Sequence, residues 1–235
     1  MARCVHCFES AGNTRDHVFP ASWYPQTTSE KVQRPTVPAC GRCNGRFGKL
    51  EGDLLGRLGL CVDPRKVAAA GIPAIALRAV GVGVESELST KERDIRASLL
   101  ARMCGEIVPY SAIEGQPGIL PGFGPHTEFP LEPQMAIRIK AEILHEVCEK
   151  VIRGLEYYIA KRYVEGPFEL KVFFVQETSA SNLGVAFGES PLYLGPGFRV
   201  QRLPAHDDPK QVLYQIKVWD TLLVHGSIVA VQPKT

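Results

Sequence analysis

The sequence has no run of apolar residues long enough to span a bilayer as a helix, so no transmembrane helix is expected. It also lacks a strong charge of either sign. Its 27 Lys and Arg stand against 25 Asp and Glu, a formal net charge of +2, which excludes a uniformly basic nucleic-acid coat. The opening residues Met1-Ala2-Arg3-Cys4 carry no apolar stretch of the kind a secretory signal needs, and the expected compartment is the reducing cytoplasm. There is no internal repeat and no low-complexity tract, which excludes a repeat architecture. The glycine pairs at Gly81-Val82-Gly83-Val84 and Gly122-Phe123-Gly124-Pro125 lack the strand-to-helix setting and the lysine of a phosphate loop, so nucleotide binding is not expected.

What is present begins with cysteine. In a reducing compartment, seven cysteines, an odd number, fit a disulfide framework badly. Four of them form two pairs, Cys4-x2-Cys7 and Cys40-x2-Cys43, with the spacing of a tetrahedral site in which four thiolates bind one structural Zn2+. Such a site is closed and does no chemistry. Cys61, Cys104 and Cys148 read as small buried hydrophobes, and His6, inside the first pair, reads as a solvated surface histidine. The charge is also uneven. Residues 1–66 carry ten basic against six acidic side chains, a +4 end on a −2 remainder, which suits a phosphate-binding end.

The patterning implies an α+β chain: a small zinc-bound module at 1–62, a helical connector with a Gly/Pro-rich loop at 63–130, and an α+β part with a β-rich end at 131–235. Thr14 to Phe19 reads as a strand ended by Pro20, and residues from about Cys43 to Leu60 as a helix despite its glycines. Val67 to Ala70 reads as helical until Gly71 and Pro73 break it. Ser89-Thr90-Lys91-Glu92 is a capping box for a helix to about Met103, and 105–130 reads as loop. Gln134 to Tyr163 reads as the strongest helix, with Ile137, Ala141, Leu144, Cys148, Val151, Leu155 and Tyr158 on one stripe. Strands are expected at Leu170–Val175, Leu183–Phe187, Phe198–Leu203, Val212–Trp219 and Thr221–Val231. His145 reads as core packing, and Trp23 and Tyr24 as packing against the zinc module.

Between and just after the cysteine pairs stand Asp16, His17 and Asn44. A carboxylate, an imidazole and an amide near one another are the parts of a site that hydrolyses a phosphodiester with a hard divalent ion. On a regular strand Asp16 and His17 would face opposite sides, so a shared site requires the strand to end or twist there. Cys4-x2-Cys7, Asp16-His17-Val18-Phe19-Pro20 and Cys40-x2-Cys43-Asn44 resemble the zinc-stapled form of the HNH, or ββα-metal, nucleases, in the pattern of phage endonuclease VII-type junction resolvases. The resemblance covers about residues 3–55. It implies that Asp16 and Asn44 bind a catalytic Mg2+ or Mn2+ and that His17 is the general base. The asparagine that such motifs carry before the second cysteine pair is missing here, with Gln33 or Thr36 as its substitute.

The function expected on that resemblance is a metal-dependent endonuclease acting on nucleic acid, with DNA as the expected substrate and no membrane partner. Arg42, Arg46, Lys49 and Arg15 are candidates for phosphate contacts, with Lys31 and Arg34 as further ones. Because one such site cuts one strand, a homodimer is expected for a double-strand cutter. The alternative is a non-catalytic zinc module that binds nucleic acid or a protein.

Overall fold

The second cysteine pair opens the first long helix. The computed structural model describes residues 2–81, 89–114, 118–125, 128–175, 187 and 190–231. In it β1 (Thr14–His17) and β2 (Thr36–Ala39) form an antiparallel hairpin, and after Cys40 alone α1 (Gly41–Leu60) begins. Cys40 is the N-cap: its Sγ accepts the Cys43 N–H at 3.5 Å, in the role a serine or aspartate oxygen usually plays. The inner face of α1 includes Cys43, Phe47, Glu51, Leu54, Leu55 and Leu58. Gly45, Gly48 and Gly52 sit where an added Cβ would meet nothing within 4 Å. Burial of one face thus sustains the helix against about 1 kcal/mol per interior glycine. Gly48→Ala is expected to stabilise the protein by about 0.5–1 kcal/mol, a Tm rise of roughly 1–4 °C measurable by calorimetry.

The connector departs from its expected outline in two places. Val67–Ala69 is a single 3-10 turn, and the helix α2 (Ile72–Ala79) starts beyond it. Pro73 lies in the first turn of α2, where its missing N–H removes no helical hydrogen bond, so it opens the helix instead of breaking one. α3 (Thr90–Glu106) carries the expected capping box, with Ser89 Oγ accepting the Glu92 N–H and the Glu92 carboxylate accepting the Ser89 N–H. The stretch expected as loop contains β3 (Ile107–Pro109), which pairs with β4 (Met135–Ile137). That pairing takes the first residues assigned to the strongest helix, and α4 runs only over Ala141–Ala160.

The rest is one antiparallel sheet, β5 (Phe168–Phe173), β6 (Leu192–Tyr193), β7 (Phe198–Pro204), β8 (Val212–Val218) and β9 (Leu222–Ala230), in the order β5-β9-β8-β7-β6. The strand expected at Leu183–Phe187 lies, but for Phe187, outside the described residues. α4 packs closely on this sheet at Gly226 of β9: a Cβ there would come within 2.2 Å of Ile152 Cδ1, so a larger residue requires the end of that side chain to shift. One apolar core joins Leu144, Val151 and Leu155 of α4 to Tyr214 and Val224 of the sheet and to Val18, Phe19 and Leu54 of the first sixty residues. Trp23 and Tyr24 belong to this core. They pack on Trp219 and Phe198, with ring centroids at 5.3 and 4.6 Å, and Trp23 Nε1 also donates to the Glu51 carbonyl of α1 at 3.3 Å, so they lie between the cysteine module and the C-terminal part of the chain. Cys148 is buried as expected, Cys61 is half-buried, and Cys104 is exposed, against expectation. His145 packs edge-on to Phe174 at 5.4 Å. The chain is thus a mixed helix and sheet fold consistent with α+β, and among the described residues no helix is long and apolar enough to cross a membrane.

Glu156 of α4 is fully buried and satisfied by Arg202, at 3.0 Å to each carboxylate oxygen, by Arg162 Nε at 2.8 Å and by the Tyr214 hydroxyl. Burial pushes its pKa up, but the hydrogen bonds from Arg202 and Tyr214 outweigh this and the net shift is downward. The stabilisation is therefore complete above the ordinary glutamate range and is lost as pH falls through the lowered folded-state value. Glu156→Gln is expected to cost about 3 kcal/mol at neutral pH, roughly 6–12 °C in Tm, because it leaves half-buried guanidinium groups without a counter-charge. The gap between the two melting curves should narrow as pH is taken below the carboxylate range.

Candidate functional site

Two tight turns bring the four cysteines together. The first is closed by hydrogen bonds from Phe8 N–H to Cys4 C=O and from Cys4 N–H to Ser10 C=O, with Phe8 in the left-handed region at φ 63°. Val5 N–H donates to Pro38 C=O at 2.9 Å and ties this turn to β2, from which Cys40 and Cys43 follow directly. The four sulfurs lie within 4.8 Å of one another, Cys7 Sγ standing 3.9 Å from Cys40 Sγ. Four thiolates at about 2.3 Å from a tetrahedral zinc would stand about 3.8 Å apart, so the cluster has the size and donor set to hold one metal ion such as zinc. Backbone N–H groups already favour the anionic sulfurs: Ser10 helps bring Cys7 down to about 6, and Cys43 lowers Cys40. Burial pushes Cys43 up.

Asn44 enters in the first turn of α1, one residue beyond the cluster. Its Nδ2 donates to Thr14 Oγ1 at 3.3 Å and to the Arg15 carbonyl at 3.4 Å, which seats it on β1. Its Oδ1 has no partner among the described residues. Thr14 and Asp16 share a face of β1, so Asn44 and Asp16 lie on the same side of the strand, two residues apart along it, with no hydrogen bond between them. His17 is the last residue of β1. Its ring is half-buried, opposite Thr36 in the hairpin register, and has no hydrogen-bond partner among the described residues. Burial lowers its pKa, with Lys150 and Arg34 adding to the effect against the pull of Asp16.

Asp16 turns inward, and its surroundings were not anticipated. His6 is buried, not solvated: it lies edge-on to Phe47 at 4.8 Å, and its Nε2 is 2.8 Å from Asp16 Oδ2. The other carboxylate oxygen is 3.2 Å from Nζ of Lys150, a fully buried lysine on α4. The same ammonium stands 2.7 Å from Glu51 Oε1 of α1 and donates to the carbonyls of His17 and, at 3.4 Å, Val18. Burial alone would raise the Asp16 pKa, but the His6 hydrogen bond and the Lys150 charge bring it below the usual range. For His6 and Glu51 burial wins, lowering the first and raising the second. A neutral His6 therefore donates Nε2–H to an ionised Asp16.

Of the basic candidates, Arg15, Arg42 and Lys49 are exposed with no ion pair among the described residues. Arg46 pairs with Glu146 of α4 and lies over the Phe47 ring, 4.9 Å from its centroid. The sequence did carry a signal for the residues that were missed. Glu51 shares a helical face with Phe47, Leu54, Leu55 and Leu58, and Lys150 shares one with Val147 and Val151. Two opposite charges on two apolar faces imply a buried pair. His6 gave no such signal. Comparison with known proteins finds no matching family model, no matching curated protein and no matching solved structure.

Proposed function

We propose that this chain is a metal-dependent endonuclease of the HNH type that hydrolyses phosphodiester bonds in nucleic acid, with DNA as its substrate, and that the cysteine cluster holds zinc. One observation carries the reading. The turn that completes the sulfur cluster also caps α1 and seats Asn44 on the strand that bears Asp16 and His17. A hairpin, a cysteine pair and a helix follow one another in the order that the ββα-metal resemblance implies, which supports the reading.

In this reading His17 is the general base. A half-buried imidazole with lowered pKa and no competing partner is neutral at neutral pH and can take a proton from an attacking water. The remaining donors suit a hard ion: a carboxylate whose oxygens each have one partner, and an amide oxygen with none among the described residues. Mg2+ or Mn2+ held by Asp16 and Asn44 would supply positive charge at the scissile phosphate and the leaving oxygen. Arg15, Arg42 and Lys49 provide phosphate contacts, and Arg46 does so only by giving up Glu146. The test incubates purified protein with plasmid, single-stranded DNA and RNA in Mg2+ or Mn2+, with and without chelator. Chelator-sensitive cutting supports the reading, and no cutting of any of the three sinks it.

A second reading, a non-catalytic zinc module that binds nucleic acid or a protein, is favoured by the engagement of both Asp16 oxygens, one of them beside a buried ammonium. Retention of DNA on the protein in a gel shift, with no cleavage in any metal, would select it.

A further inference from the structure

Lys150 comes from the C-terminal body, yet every contact of its ammonium leads to the proposed hydrolytic site or to its supporting helix. It meets Asp16 Oδ1, the His17 carbonyl and the Val18 carbonyl on β1, and Glu51 on α1. The side chain is completely buried. A buried ammonium is seldom the most stabilising choice at such a place, since an apolar side chain of similar volume avoids the desolvation penalty. Its geometry suggests what it does instead. The His17 carbonyl belongs to the peptide that fixes the backbone on the C-terminal side of His17, and Asp16 is the residue on the N-terminal side. The β1–β2 ladder ends at His17 and Thr36, and just beyond it the N–H of this peptide donates to the Pro35 carbonyl at 2.9 Å, so the hairpin loop holds its N–H side and Lys150 holds its carbonyl side. A single charge thus grips the chain on both sides of the imidazole that has no partner of its own.

We infer that Lys150 is a positioning residue that sets the direction of His17 and Asp16 from α4, so that the C-terminal body holds the proposed catalytic end of β1 in register; this rests on the nuclease reading above. α4 is well suited to the task. Its opposite face is fixed on the sheet by the contact of Ile152 with Gly226, and Arg46 and Glu146 join it to α1 one turn earlier. The C-terminal body thereby acquires a role that its sequence did not disclose: it is the fixed frame from which the active end of the hairpin is aimed. His6 holds the other oxygen of Asp16 from the cysteine cluster, so the carboxylate is fixed from both sides.

Lys150→Met leaves Asp16 and Glu51 buried without a counter-charge and can fail to fold for that reason alone. The test therefore uses the full-length double variant Lys150→Met/Glu51→Gln, which removes one of the two orphaned charges. Metal content and thermal melting are measured first, then plasmid cleavage kinetics, then hydrogen exchange of peptides covering residues 14–20. The expected result is a folded, metal-loaded protein whose kcat is about 100-fold lower with KM within about threefold, since misaimed groups slow the chemistry without weakening substrate binding. Exchange at 14–20 should be about tenfold faster, with the C-terminal sheet unchanged. A double variant that cleaves like the wild type, or whose 14–20 exchange is unaltered, overturns the inference. If wild-type protein does not cut, the nuclease reading falls, and the exchange data alone decide whether Lys150 holds the strand.

Discussion

The variant Cys4→Ser/Cys40→Ser is expected to bind no zinc and, with that, to lose the fold of the two cysteine turns, Cys4 to Cys7 and Cys40 to Cys43. The reason is how little else holds these turns together. Each hairpin strand has four residues, and the apolar cluster beneath the sulfurs consists of Cys4, Ala39, Cys40, Cys43 and Phe47 with little around them. A zinc ion bound by four thiolates contributes about 10–16 kcal/mol to the folding of small modules, as much as the whole stability of a typical domain, about 5–15 kcal/mol. Serine at position 40 can still cap α1 through its hydroxyl, so loss of the helix cap is not the cause of any collapse. The damage will spread, because Val18, Phe19 and Trp23 belong to the core shared with α4 and the sheet. Zinc per chain by mass spectrometry, thiol titration and a thermal melt check the prediction. Tryptophan fluorescence adds a local probe, since Trp23 lies 5.3 Å from Trp219. A wild-type protein that carries no metal after expression in zinc-replete medium, or a variant that melts with the wild type, rules the zinc site out.

The fold was legible where a local rule and burial agree. The capping box at Ser89, the cysteine spacing and the apolar face of α1 each needed only nearby residues, and each appears where the chain implied it. It was illegible where a distant partner decides. Met135–Ile137 has helical periodicity, but Ile107–Pro109 offers it a ladder and it becomes a strand. Trp23 and Tyr24 gave no sign that Trp219 and Phe198, nearly two hundred residues away, would receive them. At the candidate site the same division holds. That Asn44 would lie at the head of a helix followed from the cysteine before it. That Asp16 would turn inward did not follow, because its partners are a histidine inside the metal turn and a lysine from α4. Charge on an apolar helix face, at Glu51 and Lys150, was the one trace of that network in the sequence.

His17→Ala should abolish nearly all cleavage while leaving the protein intact. General-base catalysis by a positioned side chain contributes about 10²–10⁴-fold, so kcat/KM should fall by about 10³-fold. Stability should change little, because the ring is half-buried and makes no hydrogen bond among the described residues. Asp16→Asn would be a poorer test, since it disturbs His6 and Lys150 together and confounds chemistry with folding. The pH profile gives an independent check. Catalysis needs the unprotonated ring, so the rate should fall on the acid side as His17 gains its proton. Burial, assisted by Lys150 and Arg34, lowers its pKa, which places this acid limb below the ordinary imidazole value of about 6.5. The residual rate of His17→Ala should show no such limb. If the variant keeps wild-type cleavage, or keeps the same acid limb, the proton goes elsewhere and His17 is not the base. If it loses cleavage along with its metal or its melting transition, the residue is structural. Loss of rate and of the acid limb together, with zinc content and Tm preserved, is the combination that only a base at this position produces.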